Sequence, residues 1–358
     1  MRGRVRECGV ILFVVLFFVL LLASSIATFL RRAAVDASIA TNRDRGLQAE
    51  ALARGGVRLA QALLLEDLRL DGGAQPPDTL RDAWARVAGL DLVDDPDVSL
   101  QLEIEDAAAR LNLNALAGAG RSTAPAGDGS PRSELGGRDA GADAADRVFL
   151  EQFLARVIEQ MPGRPEEKPY DPAALVENLI DWVDADEVRQ AGGPEDEVYQ
   201  KRAPPYRAAN RPLLSVDELR LVEGFDGRLV EALRPYVEVY PLTGAGGLNL
   251  NTAPSWVLAQ LQRGTDVSGM RPVQEEDVRR VLDARAEGPL CSAEAQGEDC
   301  VPVTELFGGE SLAPPVADRS RVFRIRAVAR VVDIERSIET VIDRSTPSEP
   351  VRLSWRVR

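Results

Sequence analysis

The stretch VENLIDWVDADEVRQAGGPEDEVY (176–199) carries Glu177, Asp181, Asp184, Asp186, Glu187, Glu195, Asp196 and Glu197 against a single base, Arg189. Asp181 and Asp184 are three apart, so they share one face of a helix. Asp186 follows at the helix end, and Glu195 to Glu197 follow a Gly-Gly-Pro loop. Hard oxygen ligands converging from a helix end and a loop suit Ca2+. The pattern is not an EF-hand, because the positions after Asp184 and Asp186 do not continue that motif. Two other readings use the same residues. One is a solvated acidic face. The other is a catalytic pair, which needs two carboxylates with separated pKa values in one cleft.

The rest of the chemical inventory is narrow. The 358 residues contain no histidine. That removes His-activated nucleophiles, proton shuttling near neutral pH and most zinc sites. The net charge of −14 makes the body a poor partner for phosphate backbones, whose binding relies on Lys and Arg releasing counterions. Cys8 sits near the N-terminus, while Cys291 and Cys300 flank a loop-like stretch. If the body is exported, these two can pair and close a short loop; otherwise they are free thiols. LLSVDELRLVEGFDGRLVEALRPYV (213–237) reads as two short helices joined through a glycine turn, similar to a helix-hairpin-helix. Such turns often grip DNA phosphates, but Glu223, Asp226 and Glu231 surround this one and repel phosphate. A packing module fits better.

These groups need elements to hold them. VSLQLEIE (98–105) alternates strictly, with Val98, Leu100, Leu102 and Ile104 on one face. RVFRIRAVARVV (321–332) places Phe323, Ile325, Ala327 and Ala329 together. Residues 337–343 are rich in β-branched side chains, and VRLSWRVR puts Val351, Leu353, Trp355 and Val357 on one face. The last three strands are expected to be consecutive and antiparallel. Between them and the first strand, spacing predicts helices near 146–161, 171–183, 215–223, 227–236, 253–262 and 274–286. Asp171 and Pro172 are good start signals for the second. Residues 117–146 are Gly/Ala/Ser/Pro/Asp-rich and read as a mobile loop. RLNLNALAG (110–118) echoes GLNLNTAPS (247–255), which suggests two related helical subdomains.

From Cys8 to Leu30 there is no Asp, Glu, Lys or Arg, enough length to cross a bilayer as one helix. The apolar run is long for a discarded signal, and Ala23-Ser24-Ser25 is a poor cut site. No proline interrupts 31–70, and Leu52, Gly56, Leu59 and Leu63 recur at helical spacing. One helix from about Val10 to Leu70 is expected, stopped by Asp71-Gly72-Gly73. A short basic leader (Arg2, Arg4, Arg6) ends in Gly9, which abuts Val10-Ile-Leu-Phe-Val. That leader resembles those of type IV pilin-like proteins; an ordinary single-pass anchor is the plainer reading.

Taken together, the leader, the long helix, LIDWVDADEVRQAGGPEDEVY, PYRAANRPLLSVDELRLVEG, LNLNTAPSWVLAQL and LSWRVR resemble the minor pseudopilin K family of bacterial type II secretion systems. The resemblance spans nearly the whole chain. It implies an α+β fold: a pilin-like long N-terminal helix plus a small antiparallel sheet, with a large helical domain (SAM-like or helix-hairpin-helix-like) inserted between strands. The implied organisation is a leader at 1–9, a transmembrane half-helix at 10–30, and pilin-like helix and first strand at 31–105. An inserted helical domain at 106–245 carries the acidic site. A second helical subdomain at 246–318 and C-terminal strands at 319–358 follow.

Functionally, the resemblance implies a non-enzymatic tip subunit of the pseudopilus. Its partners would be the I and J minor pseudopilins, with no nucleic acid. It implies a structural Ca2+ in the inserted domain, with Asp184, Asp186, Glu195 and Asp196 as ligands and Asp181 next. It also implies cleavage by prepilin peptidase between Gly9 and Val10, methylation of the new amine, and a single inner-membrane pass with the N-terminus cytoplasmic and the body periplasmic. A periplasmic body would let Cys291 and Cys300 pair. Pilin-type subunits generally carry a glutamate at the fifth mature position, which pairs with a neighbour's amine. Here that position is Val14, as suits a subunit with no neighbour beyond it. The rival reading is a membrane-tethered helix-hairpin-helix protein for DNA uptake.

Overall fold

The computed structural model describes residues 7–70, 76–118, 140–243, 247–265, 269–292, 300–346 and 350–358. The leader residues 1–6, the Asp71–Gly73 stop and most of the low-complexity stretch (119–139) lie outside them. Helix α1 runs Glu7–Leu70 without a break. From Ile11 to Leu30 it is exposed and apolar, and from Gly46 onward it packs on a sheet. The buried stripe is Ala49, Ala53, Val57, Ala60 and Leu64. Of the stripe expected at Leu52, Gly56, Leu59 and Leu63, Gly56 is buried and Leu52 and Leu63 pack at its margin, whereas Leu59 is 41% exposed. Small residues decide the face, because they let the helix approach the sheet closely. A Cβ on Gly56 would sit 3.0 Å from Leu100 Cδ1 and 3.2 Å from Ala327 Cβ.

The sheet has four antiparallel strands in the order β1 (Val98–Asp106), β2 (Val322–Val331), β3 (Ile334–Asp343) and β4 (Val351–Val357). Register aligns Leu102 with Ala327 and Ala327 with Ile338. The period-2 pattern therefore gathers Leu100, Leu102, Ile104, Phe323, Ile325, Ala327, Ala329, Ile338 and Ile342 against α1. Trp84 closes this core, edge-on to Phe323 at 5.0 Å. In β4 the expected single apolar face is split. Val341 pairs with Ser354 and Ile342 with Arg352, so Leu353 is an extra, bulged residue. Leu353 then joins the core on the far side of the sheet, while Trp355 stays on the α1 side.

That far core belongs to the segment between β1 and β2. One continuous apolar cluster runs from Ala107 to Phe307 and takes in Val322 and Val341 of the sheet. Its main helices are α2 (Ala140–Gln160), α3 (Pro172–Val183), α4 (Gly227–Leu233) and α5 (Glu275–Glu287). Helix α2 starts six residues before the expected boundary, inside the stretch read as loop, because Ala-rich residues 140–146 are good helix formers. The helix expected at 215–223 is a 3-10 turn, Val216–Leu221. The one expected at 253–262 shrinks to Ser255–Leu258, because Gln262–Gly264 pairs as a strand with Ser311–Ala313 and Arg271–Pro272. Long-range pairing overrode local propensity there.

The two Leu-Asn-Leu-Asn segments do the same job twice. Leu111–Asn112 pairs in parallel with Val237–Glu238, and Leu248–Asn249 with Val316–Ala317. Asn114 Oδ1 accepts from Leu213 N (2.8 Å) and its amide donates to Leu213 O (3.0 Å). Asn251 clamps Leu290 through the same pair of atoms, at 2.8 and 2.9 Å. Each buried asparagine thus satisfies both backbone groups of a residue distant in the chain.

Candidate metal centre

Helix α3 begins where Asp171 accepts from Ala173 N and Ala174 N, with Pro172 in the first turn. Its last turn buries Asp181, and Asp184 is its C-cap, bonded through its N–H to Ile180 O at 2.9 Å. The chain then doubles back. Arg189 N and Gly193 O close a turn at 2.9 Å, and Gly192 and Gly193 take φ of 86° and 94°, the left-handed region where glycine costs least. Val188 bridges Pro194. The return places Glu195 against the end of α3.

Asp181, Asp184 and Glu195 thereby each offer a carboxylate oxygen, all within 4.8 Å of one another. Glu195 is buried, yet neither of its carboxylate oxygens has a hydrogen-bond partner, and Asp184 Oδ1 is likewise buried and unpaired. Asp181 accepts from Gln190 N at 2.9 Å, and Arg189 Nε stands 3.8 Å from its other oxygen. Arg189 is mainly committed elsewhere, to Glu223 and Asn178 at 3.0 Å each. Burial, then the charges of Asp184 and Asp181, push Glu195 up to about 8. Burial and the Asp186 charge push Asp184 up to about 6. Burial raises Asp181 as well.

The other two candidate ligands are turned to local work. Asp186 Oδ1 accepts from Val188 N at 2.8 Å, within the turn. Asp196 Oδ1 accepts from Ala208 N at 3.0 Å, with Arg207 Nε 3.5 Å from Oδ2. Sequence reasoning missed Asn210. It lines the same cavity as Glu195, of about 260 Å³. Its N–H bonds Trp182 O and its amide bonds Asp186 O, which leaves Oδ1 buried and unpaired. Its φ of 46° is a conformation that asparagine tolerates better than most residues. An Asn in a polar loop carries no ligand signal in sequence. Oxygen atoms make up the whole donor set, and buried acceptors without donors are expensive, so the site can hold a hard metal ion.

A second acidic trio, Asp67, Asp78 and Asp82, is already served by a protein cation. Arg344 bonds Asp67 at 2.9 Å and also Asp78, and stacks on Phe323 at 4.4 Å. The glycine turn before α4 is spent on packing. Gly224 has φ 86°, and Asp226 caps α4 at Leu229 N (2.8 Å) while accepting from Tyr170 OH. Glu223 holds Arg189. Carboxylates thus take the positions a phosphate would need.

An exposed apolar half-helix continuing into a helix laid on a small antiparallel sheet defines a pilin-type filament subunit, here with a helical domain inserted between β1 and β2. The family model for type II secretion system protein K matches residues 109–242, the part that carries the acidic site. Type II secretion system protein K of Pseudomonas aeruginosa is 33% identical over 289 residues, 76% of each chain. The Aeromonas hydrophila protein of that name is 26% identical over 97% of this chain and 96% of its own. In fold, the chain is similar to one in the crystal structure of the GspK-GspI-GspJ complex from enterotoxigenic Escherichia coli. The TM-score is 0.58 at 22% identity, covering 89% of this chain and 99% of the other. The chain belongs to the type II secretion system protein K family, whose members are minor pseudopilins, structural subunits and not enzymes.

Proposed function

We propose that this pseudopilin caps the pseudopilus, assembling with the I and J minor pseudopilins to start the filament that supports export of folded proteins. The observation that carries this reading is α1. Its span is long and apolar enough to cross a membrane, and from Ile11 through Asp44 it buries against nothing among the described residues, so lipid or partner helices must cover it. The similar solved complex contains I and J subunits, which supports those partners. The wide inserted domain suits an end position, since it would block stacking along a thin filament. In this reading prepilin peptidase cuts after Gly9, Val10 becomes the methylated N-terminus, and Val14 needs no partner amine. The N-terminus is cytoplasmic, the membrane is the inner one, and the body is periplasmic. The divisions at 105/106, 245/246 and 318/319 separate pilin core, inserted domain, second subdomain and closing strands.

We assign the metal as a structural Ca2+ held by Asp181, Asp184 and Glu195, with Asn210 beside Glu195 and with Asp186 and Asp196 shaping the field. Bound there, the ion supplies positive charge to buried oxygens that the protein leaves unpaired. Asp181 and Asp184 anchor it to α3, and Glu195 ties the returning loop to the same point. The test of the whole reading is the intact mass of the chain isolated from membranes, followed by co-purification with I and J subunits. A mass lacking residues 1–9 with one added methyl supports it. A chain that still starts at Met1, or that begins beyond Phe29, overturns it.

A further inference from the structure

One edge of the sheet is covered and the other is open. Outside β1, Leu92 N donates to Leu100 O at 2.9 Å, and Leu100 N donates to Asp91 Oδ1 at 3.1 Å. Asp91 and Asp95 also bridge to Gln101 and Val98. At β4 the geometry is different. Ser337 and Arg358 exchange both backbone bonds, at 2.9 Å each. Antiparallel pairs alternate, so Arg356 and Ser354 also turn their backbone groups in toward β3. Trp355 and Val357 turn theirs out, and among the described residues nothing pairs with them.

The side chains on this edge are as suggestive as its backbone. Ser354, Arg356 and Arg358 face a cleft of about 660 Å³ between the sheet and the inserted domain. Three other arginines line it, and all are neutralised. Arg234 holds Asp217 (2.6 Å) and Glu231 (3.0 Å). Arg324 holds Glu238 (2.5 Å) and Glu339 (2.8 Å). Arg110 holds Glu105 at 3.2 Å. Arg356 and Arg358 have no ion pair among the described residues. On the opposite face of the strand, Val357 is exposed beside the half-buried Trp355.

We propose that β4 is a docking edge, and that its partner is an extended segment of another polypeptide in which acidic and apolar residues alternate. The segment adds as a fifth strand. Its backbone bonds Trp355 and Val357, its carboxylates meet Arg356 and Arg358 in the cleft, and its apolar side chains lie beside Trp355 and Val357. Two copies of this chain do not pair edge to edge, because that arrangement would set Arg against Arg. Arginines also guard open edges against aggregation, and guarding alone would leave no affinity for such a strand. The proposal depends neither on the metal nor on leader cleavage.

The experiment uses the full chain in detergent micelles and a fluorescein-labelled peptide of alternating Val and Glu with Gly-Ser ends. The control is the Val/Lys peptide. Anisotropy is read at low and high salt. The acidic peptide is expected to bind saturably and more weakly at high salt, while the basic one does not bind. Amides of Trp355 and Val357 are expected to gain exchange protection. The double variant R356E/R358E should weaken binding at least tenfold. So should V357P, which removes an outward N–H while leaving the ladder to β3 intact; thermal melts of both variants check the fold. Equal binding of the two peptides overturns the proposal, as does absence of binding. Full binding by V357P overturns strand addition in particular.

Discussion

Changing Glu195 to Gln separates the metal centre from a merely acidic surface. In the metal-free chain Glu195 is pushed from its usual 4.5 up to about 8. The folded state therefore keeps a proton that the unfolded chain has given up at pH 7.5. Stability from this group is fully present below pH 4.5 and falls as pH rises toward 8. At about 1.4 kcal/mol per pH unit, and halved for screening by solvent around the neighbouring carboxylates, the loss by pH 7.5 is about 2 kcal/mol. Gln keeps the shape of the protonated acid and has no proton to lose. In chelator at pH 7.5, E195Q should then melt above the wild type, by about 6 °C at roughly 2–4 °C per kcal/mol. At pH 4.5 the two should coincide. Metal reverses the order of response. Calcium at a hundredfold its dissociation constant adds about 2.7 kcal/mol to the wild type, and should add little to E195Q. Circular dichroism melts at pH 4.5, 6 and 7.5, in chelator and in calcium, read all of this. If E195Q melts at or below the wild type in chelator at pH 7.5, and calcium shifts both equally, the cluster is a surface and the reasoning fails.

Other outcomes follow from packing. Gly55 has nothing within 4 Å of a built Cβ, whereas Gly56 faces Leu100 and Ala327. G55A should stabilise by about 0.5–1 kcal/mol and G56L should destabilise by about 1–3 kcal/mol, both from urea unfolding. G224A forces a side chain into φ 86° and 2.7 Å from Leu175 Cδ2; a loss of about 2 kcal/mol is expected, with a lower melting temperature as the readout. Cys291 and Cys300 are bonded, nine residues apart. Reduction should cost about 3 kcal/mol by loop entropy, seen as a lower urea midpoint in dithiothreitol.

Much of the scaffold is legible without coordinates, for local reasons. Alternation in 98–105 and 321–332 reports burial on one face, and β1 and β2 follow it almost residue for residue. The uncharged run at 8–30 is long enough to span a bilayer as a helix, and 31–70 continues it without proline at helical apolar spacing, so α1 is readable to its end. The misses share a non-local cause. The contact face of α1 was set by how closely a sheet could approach its alanines and Gly56. The face of Leu353 was set by a bulge against β3. The helix expected through 262 was displaced by pairing with residues some 50 positions downstream.

The sequence by itself determined which oxygens were available for a metal, and that no imidazole competed for the task. It also determined that one stretch is long and apolar enough to cross a membrane, because these are properties of residue type and run length. Only the tertiary structure decided that Asp181, Asp184 and Glu195 converge while Asp186 and Asp196 bond their own loops, and that Asn210 arrives from a separate segment. Convergence depends on where a turn of two left-handed glycines returns the chain. The direction of that return is set by packing against α3, which residue spacing does not encode.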